Sequence, residues 1–147
     1  MAKRKRVAGE IVRAAGVVLM TETDPRRFLL MRHRDRWDLP KGHCDGVETY
    51  LETARREMQE ETGISPEDCR FENSFCFDLA YEVSYGKKPQ EIFPKNVRYF
   101  LAWLPDVVRI EETEHESSEW FEWSPPHTIQ TQTIDPLLAA IADHLGS

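Results

Sequence analysis

Three glutamates, Glu57, Glu60 and Glu61, stand at spacings i, i+3 and i+4 inside the stretch Gly42–Ile64, GHCDGVETYLETARREMQEETGI. On an α-helix those positions are neighbours on one face, with Cβ atoms about 5–6 Å apart, and like charges placed this way oppose helix formation. A chain that folds so either leaves the face as an ordinary solvated acidic surface or sets something positive against it. A hard divalent cation suits clustered carboxylate oxygens.

The helix carrying the cluster is legible in detail. Thr49 followed by Glu52 forms a capping box, which places the helix start at Thr49. Gly63 suits the left-handed position past the last turn, so the helix ends near Thr62. Leu51, Ala54 and Met58 form an apolar stripe for packing on a core. Arg56 flanks the carboxylates and stands at i,i+4 from both Glu52 and Glu60. Upstream, Leu39-Pro40-Lys41-Gly42 opens a loop holding a second glycine, Gly46, and Glu48 comes just before the helix. Glycine lets a backbone approach a ligand closely.

Gly42, five residues, Glu48, seven residues, then Arg56-Glu57-Met58-Gln59-Glu60-Glu61-Thr62-Gly63-Ile64 resembles a complete Nudix box, with nine specified positions over 23 residues. The resemblance implies a hydrolase that cleaves a nucleoside diphosphate linked to another moiety, using Mg²⁺ or Mn²⁺. By the same resemblance Glu57, Glu60 and Glu61 are the metal-binding, catalytic carboxylates and the carbonyl of Gly42 is a further ligand. Glu48 and Arg56 are then an ion pair that orients the loop against the helix. The chemistry agrees: cations neutralise phosphoryl oxygens and lower the pKa of bound water, and phosphoryl transfer asks mainly for positioning and charge stabilisation.

A chain of 147 residues with 40% hydrophobic content is expected to be a single domain spanning residues 1–147. No apolar run reaches the ~20 residues needed to span a bilayer. Cys44, Cys69 and Cys76 lack metal-ligand spacing and read as reduced thiols of a cytoplasmic protein. The net charge of −7 argues against a general nucleic-acid binder. It is unevenly spread: Lys3–Arg6 is wholly basic, so residues 1–8 are expected to be a flexible tail, whereas Glu111–Glu122 carries six glutamates.

Along the chain, Ile11–Met20 predicts a central strand, Thr21–Arg26 a turn and Arg27–Arg32 its partner strand. Phe71–Tyr85 predicts one long strand or two, Gly86–Pro94 a mobile loop, Val97–Leu104 a strand and Glu119–Trp123 a short one. Asp135–Leu145 predicts the closing helix, with Asp135 as N-cap and Pro136 at its first position. Strands and helices in this order suit an α/β/α sandwich with a mixed sheet, the architecture the family resemblance implies.

Within the family, Trp37-Asp38-Leu39-Pro40-Lys41-Gly42-His43 is similar to the diadenosine-tetraphosphate branch, as is Tyr81, which follows Ile64 by 17 residues. This resemblance implies asymmetric cleavage of diadenosine tetraphosphate to ATP and AMP. Alternatives are removal of pyrophosphate from RNA 5′ ends, another nucleoside diphosphate-X pyrophosphatase, and a catalytically silent nucleotide-binding regulatory module. Lys41, His43, Tyr81, Lys95 and Tyr99 are the implied substrate contacts. Glu116 is the implied distal carboxylate, with Glu119 and Glu114 as alternatives. The partner expected is a small-molecule nucleotide substrate, with no membrane and no nucleic acid except an RNA 5′ end; the sequence leaves the oligomeric state open.

Overall fold

The computed structural model describes residues 10–84, 92–110 and 117–146. The basic tail, residues 86–91 of the predicted loop, Glu114 and Glu116 therefore lie outside the described residues. The described elements run β1 (Val12–Thr21), β2 (Arg27–His33), β3 (Arg36–Asp38), β4 (Lys41–His43), α1 (Tyr50–Thr62), β5 (Arg70–Ser84), β6 (Ile92–Leu104), β7 (Ser117–Glu122) and α2 (Ile134–Leu145). They form one mixed seven-stranded sheet in the order β3-β2-β1-β6-β5, with β4 added on β1 and β7 on β2.

The apolar run in β1 makes it the centre of the sheet. It pairs in parallel with β6 from Val12↔Lys95 to Thr21↔Leu104 and antiparallel with β2 at Met20↔Phe28. Strand side chains alternate between faces, and β1 divides accordingly. Ala14, Val18 and Met20 join a core with Ile134, Leu137, Leu138 and Ile141 of α2. Ala15, Val17 and Leu19 join another with Ala54 and Met58 of α1. The two helices therefore cover opposite faces, giving the expected sandwich. Among the described residues, no helix is long and apolar enough to cross a membrane.

Several expectations are corrected. Ile92, Phe93 and Pro94 are not loop but the start of β6. Pro94 lies near the start of the strand, paired with Glu82 of β5 and ahead of the point where β1 joins β6 at Val12↔Lys95. Asp135 does not cap α2. The N-cap is Thr133, which makes no side-chain cap bond. Asp135 Oδ1 instead accepts from the amides of Ile129 and Gln130, at 2.8 and 3.0 Å, and closes the preceding loop. Leu51 is exposed, and Thr53 takes a buried position on α1 with Ala54 and Met58. Thr53 can be buried because its hydroxyl donates to Glu48 Oε1 at 2.7 Å.

Candidate active site

The predicted ends of α1 are observed. Thr49 Oγ1 accepts from the Glu52 amide and Glu52 Oε1 from the Thr49 amide, while Gly63 sits at φ 78° in the left-handed region. Glu52 is thus committed to the cap rather than to Arg56. Fixing this start sets the rotation of the helix, and with it the direction of the carboxylate face.

That face lies against β4. The Lys41–His43 segment, read from sequence as loop, pairs with β1 through Gly16↔Lys41, Ala15↔Gly42 and Ala14↔His43. Gly42 leaves room there for Glu57, because a Cβ at this position would overlap the Glu57 carboxyl group. Gly16 is equally confined: its Cβ would meet Lys41 Cβ and the Pro40 carbonyl at 2.8 Å and Tyr99 Cε1 at 3.0 Å. Two glycines on adjacent strands let the loop sink onto β1 and meet the helix.

The three glutamates are not equivalent. Glu60 is 56% exposed, whereas Glu57 is 17% exposed. Burial pushes the Glu57 carboxyl above its ordinary pKa, with the Arg56 hydrogen bond opposing. Burial pushes Glu61 up to about 8, although the Lys41 amide donates to its Oε2 at 3.1 Å; the charges of Glu57 and Asp38 raise it further. In both, burial outweighs the nearby positive groups, Arg56 for Glu57 and Lys41 for Glu61.

Arg56 is the hub. Its Nε and Nη2 donate to the two oxygens of Glu48 at 2.8 and 2.9 Å, the predicted pair. Nη1 donates to Glu57 at 2.8 Å and to Glu60 at 3.2 Å, and Nη2 also donates to the His43 carbonyl at 3.1 Å. Arg56 and its hydrogen bonds hold Glu48 down at about 2. Glu48 is further fixed by the Asp45 amide at 3.0 Å.

Among the described residues, no three acid, histidine or cysteine side chains are arranged to hold a metal ion. Arg56 instead holds Glu57 and Glu60 through Nη1. The donor set itself fits a hard divalent cation: it is all carboxylate oxygen, it lies on one helix face, and burial disfavours the charged form of Glu57 and Glu61.

The implied substrate contacts separate. Tyr81 is 40% exposed on β5, opposite Lys95 of β6, whose Nζ lies 5.8 Å from the ring centroid. Tyr99 is 2% exposed and its ring lies in the core, in contrast to Tyr81. Lys41 Nζ pairs with Asp38 Oδ1 at 3.3 Å. His43 is exposed at the end of β4. Glu119, an alternative distal carboxylate, is exposed on β7 opposite Leu30. Sequence reasoning missed Asp38 and Thr53. The i,i+3 spacing of Asp38 and Lys41 signals the first, whereas nothing local signals the second.

Residues 10–145 match the family described as NUDIX domain. The chain is 35% identical over 121 residues to the rat (Rattus norvegicus) bis(5′-nucleosyl)-tetraphosphatase [asymmetrical], covering 78% of this chain and 77% of that protein. It is 29% identical over 114 residues to the RNA pyrophosphohydrolase of Hydrogenovibrio crunogenus, covering 75% and 69%. Among solved structures it superimposes on a binary complex of the C. elegans Ap4A hydrolase with a TM-score of 0.77, at 28% identity, covering 92% of this chain and 98% of that one.

Proposed function

The chain belongs to the NUDIX family, and on that premise we propose that it is a divalent-cation-dependent pyrophosphohydrolase that cleaves diadenosine tetraphosphate asymmetrically to ATP and AMP. The observation that carries this reading is the joint held by Gly42, Glu48 and Arg56, which sets Glu57 and Glu61 together against β4. The substrate assignment is supported by the likeness to the asymmetrical tetraphosphatase and to the Ap4A hydrolase structure.

Glu57, Glu60 and Glu61, with the carbonyl of Gly42, would hold Mg²⁺ or Mn²⁺. Such a cation, when bound, supplies positive charge to the phosphoryl oxygens and lowers the pKa of a bound water. The rest of the work belongs to this chain's own side chains. Arg56, anchored by Glu48, holds Glu57 and Glu60 in place and leaves Glu61 facing the loop. Lys41, released from Asp38, can meet a phosphate that approaches β4. Tyr81 offers an open ring for a base, and Lys95 beside it offers a cation for the phosphate chain. Orientation of this kind accounts for much of the acceleration available to phosphoryl transfer. The free cysteines Cys44, Cys69 and Cys76 support a reducing, cytoplasmic setting.

A second reading, removal of pyrophosphate from RNA 5′ ends, is favoured by the likeness to RNA pyrophosphohydrolases. One comparison separates the two. Diadenosine tetraphosphate, triphosphorylated RNA and ADP-ribose are each incubated with the protein and Mg²⁺, and the products are resolved by chromatography. Equal amounts of ATP and AMP from the first, at the highest kcat/KM, is the expected result. Preferential release of pyrophosphate from RNA would replace the reading, and tight binding without turnover of any substrate would mark a regulatory module.

A further inference from the structure

The start of α1 is fastened to the sheet by a stack that the mechanism above leaves unused. Tyr50 is the first residue of α1, and the guanidinium carbons of Arg13 and Arg98 each lie 4.5 Å from its ring centroid. The two arginines come from the neighbouring parallel strands β1 and β6, where Arg13 stands opposite Asn96 and Ala15 opposite Arg98. Asn96 Nδ2 donates to the Tyr50 hydroxyl at 3.3 Å. Each arginine also has a second anchor. Arg98 binds Asp78 of β5 through two bonds of 2.8 and 2.9 Å, and Arg13 Nη2 donates to the Glu48 carbonyl at 3.0 Å.

Two cations at a helix N-terminus oppose the helix dipole, which favours anions there. Asp78 offsets the Arg98 charge, but the Arg13 guanidinium still stands on the ring at that end against the dipole, which packing of the helix alone does not call for. What the arrangement does supply is a continuous link. It runs from Asp78 through Arg98, Tyr50 and Arg13 to the backbone of Glu48, whose carboxylate holds Arg56 and through it Glu57. Asp78 lies three residues before Tyr81 on the same strand, so the link joins the strand carrying the open ring to the carboxylate face.

We propose that Tyr50 is a positioning residue: its stack between the Arg13 and Arg98 anchors fixes the loop–helix joint so that Glu48 and Arg56 keep Glu57 directed for cation binding. The proposal rests on the metal-dependent reading above, and its test separates the two. Mn²⁺ binding to the full chain is measured by electron paramagnetic resonance, independently of turnover, and kcat and KM are measured on diadenosine tetraphosphate. In Tyr50→Leu, which removes the ring, Mn²⁺ affinity and kcat should each fall about tenfold or more while KM stays nearly unchanged. Tyr50→Phe, which keeps the ring, should restore both to within roughly threefold of wild type. A folded Tyr50→Leu protein with wild-type Mn²⁺ affinity and kcat overturns the proposal. If Tyr50→Leu does not fold, Arg13→Met decides by the same two readouts, with loss of both supporting the link and unchanged values refuting it. A wild-type protein that binds Mn²⁺ in a Tyr50-dependent way but hydrolyses no nucleotide overturns the functional reading and leaves the positioning role standing.

Discussion

Gly42 and Glu57 occupy one another's space: the Glu57 carboxyl group lies where a side chain on residue 42 would have to be. The contact joins β4 to α1 at the point where the carboxylate face begins. Gly42→Ala must displace the end of a flexible glutamate rather than backbone, so the fold should survive with a small loss of stability. Activity should fall by about 10²-fold, the scale expected when a reacting group is misplaced by about 1 Å. Circular dichroism and steady-state kinetics on the same preparation check both halves.

Burial of Glu61 gives the cation-free protein a characteristic pH response. Its carboxyl titrates at about 8 when folded, against an ordinary 4.5. A raised acid contributes stability that is fully present below 4.5 and is lost as pH rises through 8. Glu57 acts in the same direction. Thermal melting with chelator should therefore show Tm falling between pH 5 and pH 8, and Mg²⁺ should reverse the fall, because a cation binds the ionised form and releases protons. Glu61→Gln should flatten the slope; an unchanged slope in that variant would assign the pH response elsewhere.

Glu48 has the opposite sign. Held at about 2 by Arg56, it contributes stability that is present above 4.5 and is lost as pH falls through 2. Glu48→Gln removes that contribution and leaves Arg56 partly uncompensated, at a cost of about 2 kcal/mol at neutral pH. Acid titration followed by tryptophan fluorescence should show the variant with less acid-dependent loss of stability below pH 4.5 than wild type.

Tyr81 and Tyr99 should fail in different ways. Tyr81→Ala removes an exposed ring and should raise KM roughly tenfold, the worth of one stacked aromatic, with little change in Tm. Tyr99→Ala empties a core position and should cost about 3 kcal/mol or more of stability. Urea unfolding and Michaelis–Menten analysis distinguish the two; a KM effect confined to Tyr99 would reverse the assignment.

What the sequence made legible is what depends on neighbours along the chain. Thr49 with Glu52, Gly63 at the helix end and the spacing of Glu57, Glu60 and Glu61 all act within one helix, so their arrangement follows from 3.6 residues per turn. The pair Glu48–Arg56 came only with the family resemblance. The two tyrosines show where local reading stops. Both project from the same face of the β5–β6 pair, since Tyr81 is opposite Lys95 and Tyr99 opposite Phe77. Their burial differs because Tyr99 also neighbours Gly16 of β1, whereas Tyr81 lies beside the point where β1 begins. That difference is a matter of register between distant strands, and no local pattern encodes it. The same holds for β4, which is a strand only because β1 lies beside it.

The central claim is that Glu57 and Glu61 form a cation-dependent pyrophosphate-cleaving site. It is tested most directly by kcat for diadenosine tetraphosphate with Mg²⁺ in Glu57→Gln and Glu61→Gln, each shown to be folded. The account predicts losses of about 10²-fold or more in both, at nearly unchanged thermal stability. Near wild-type rates in both variants would contradict it.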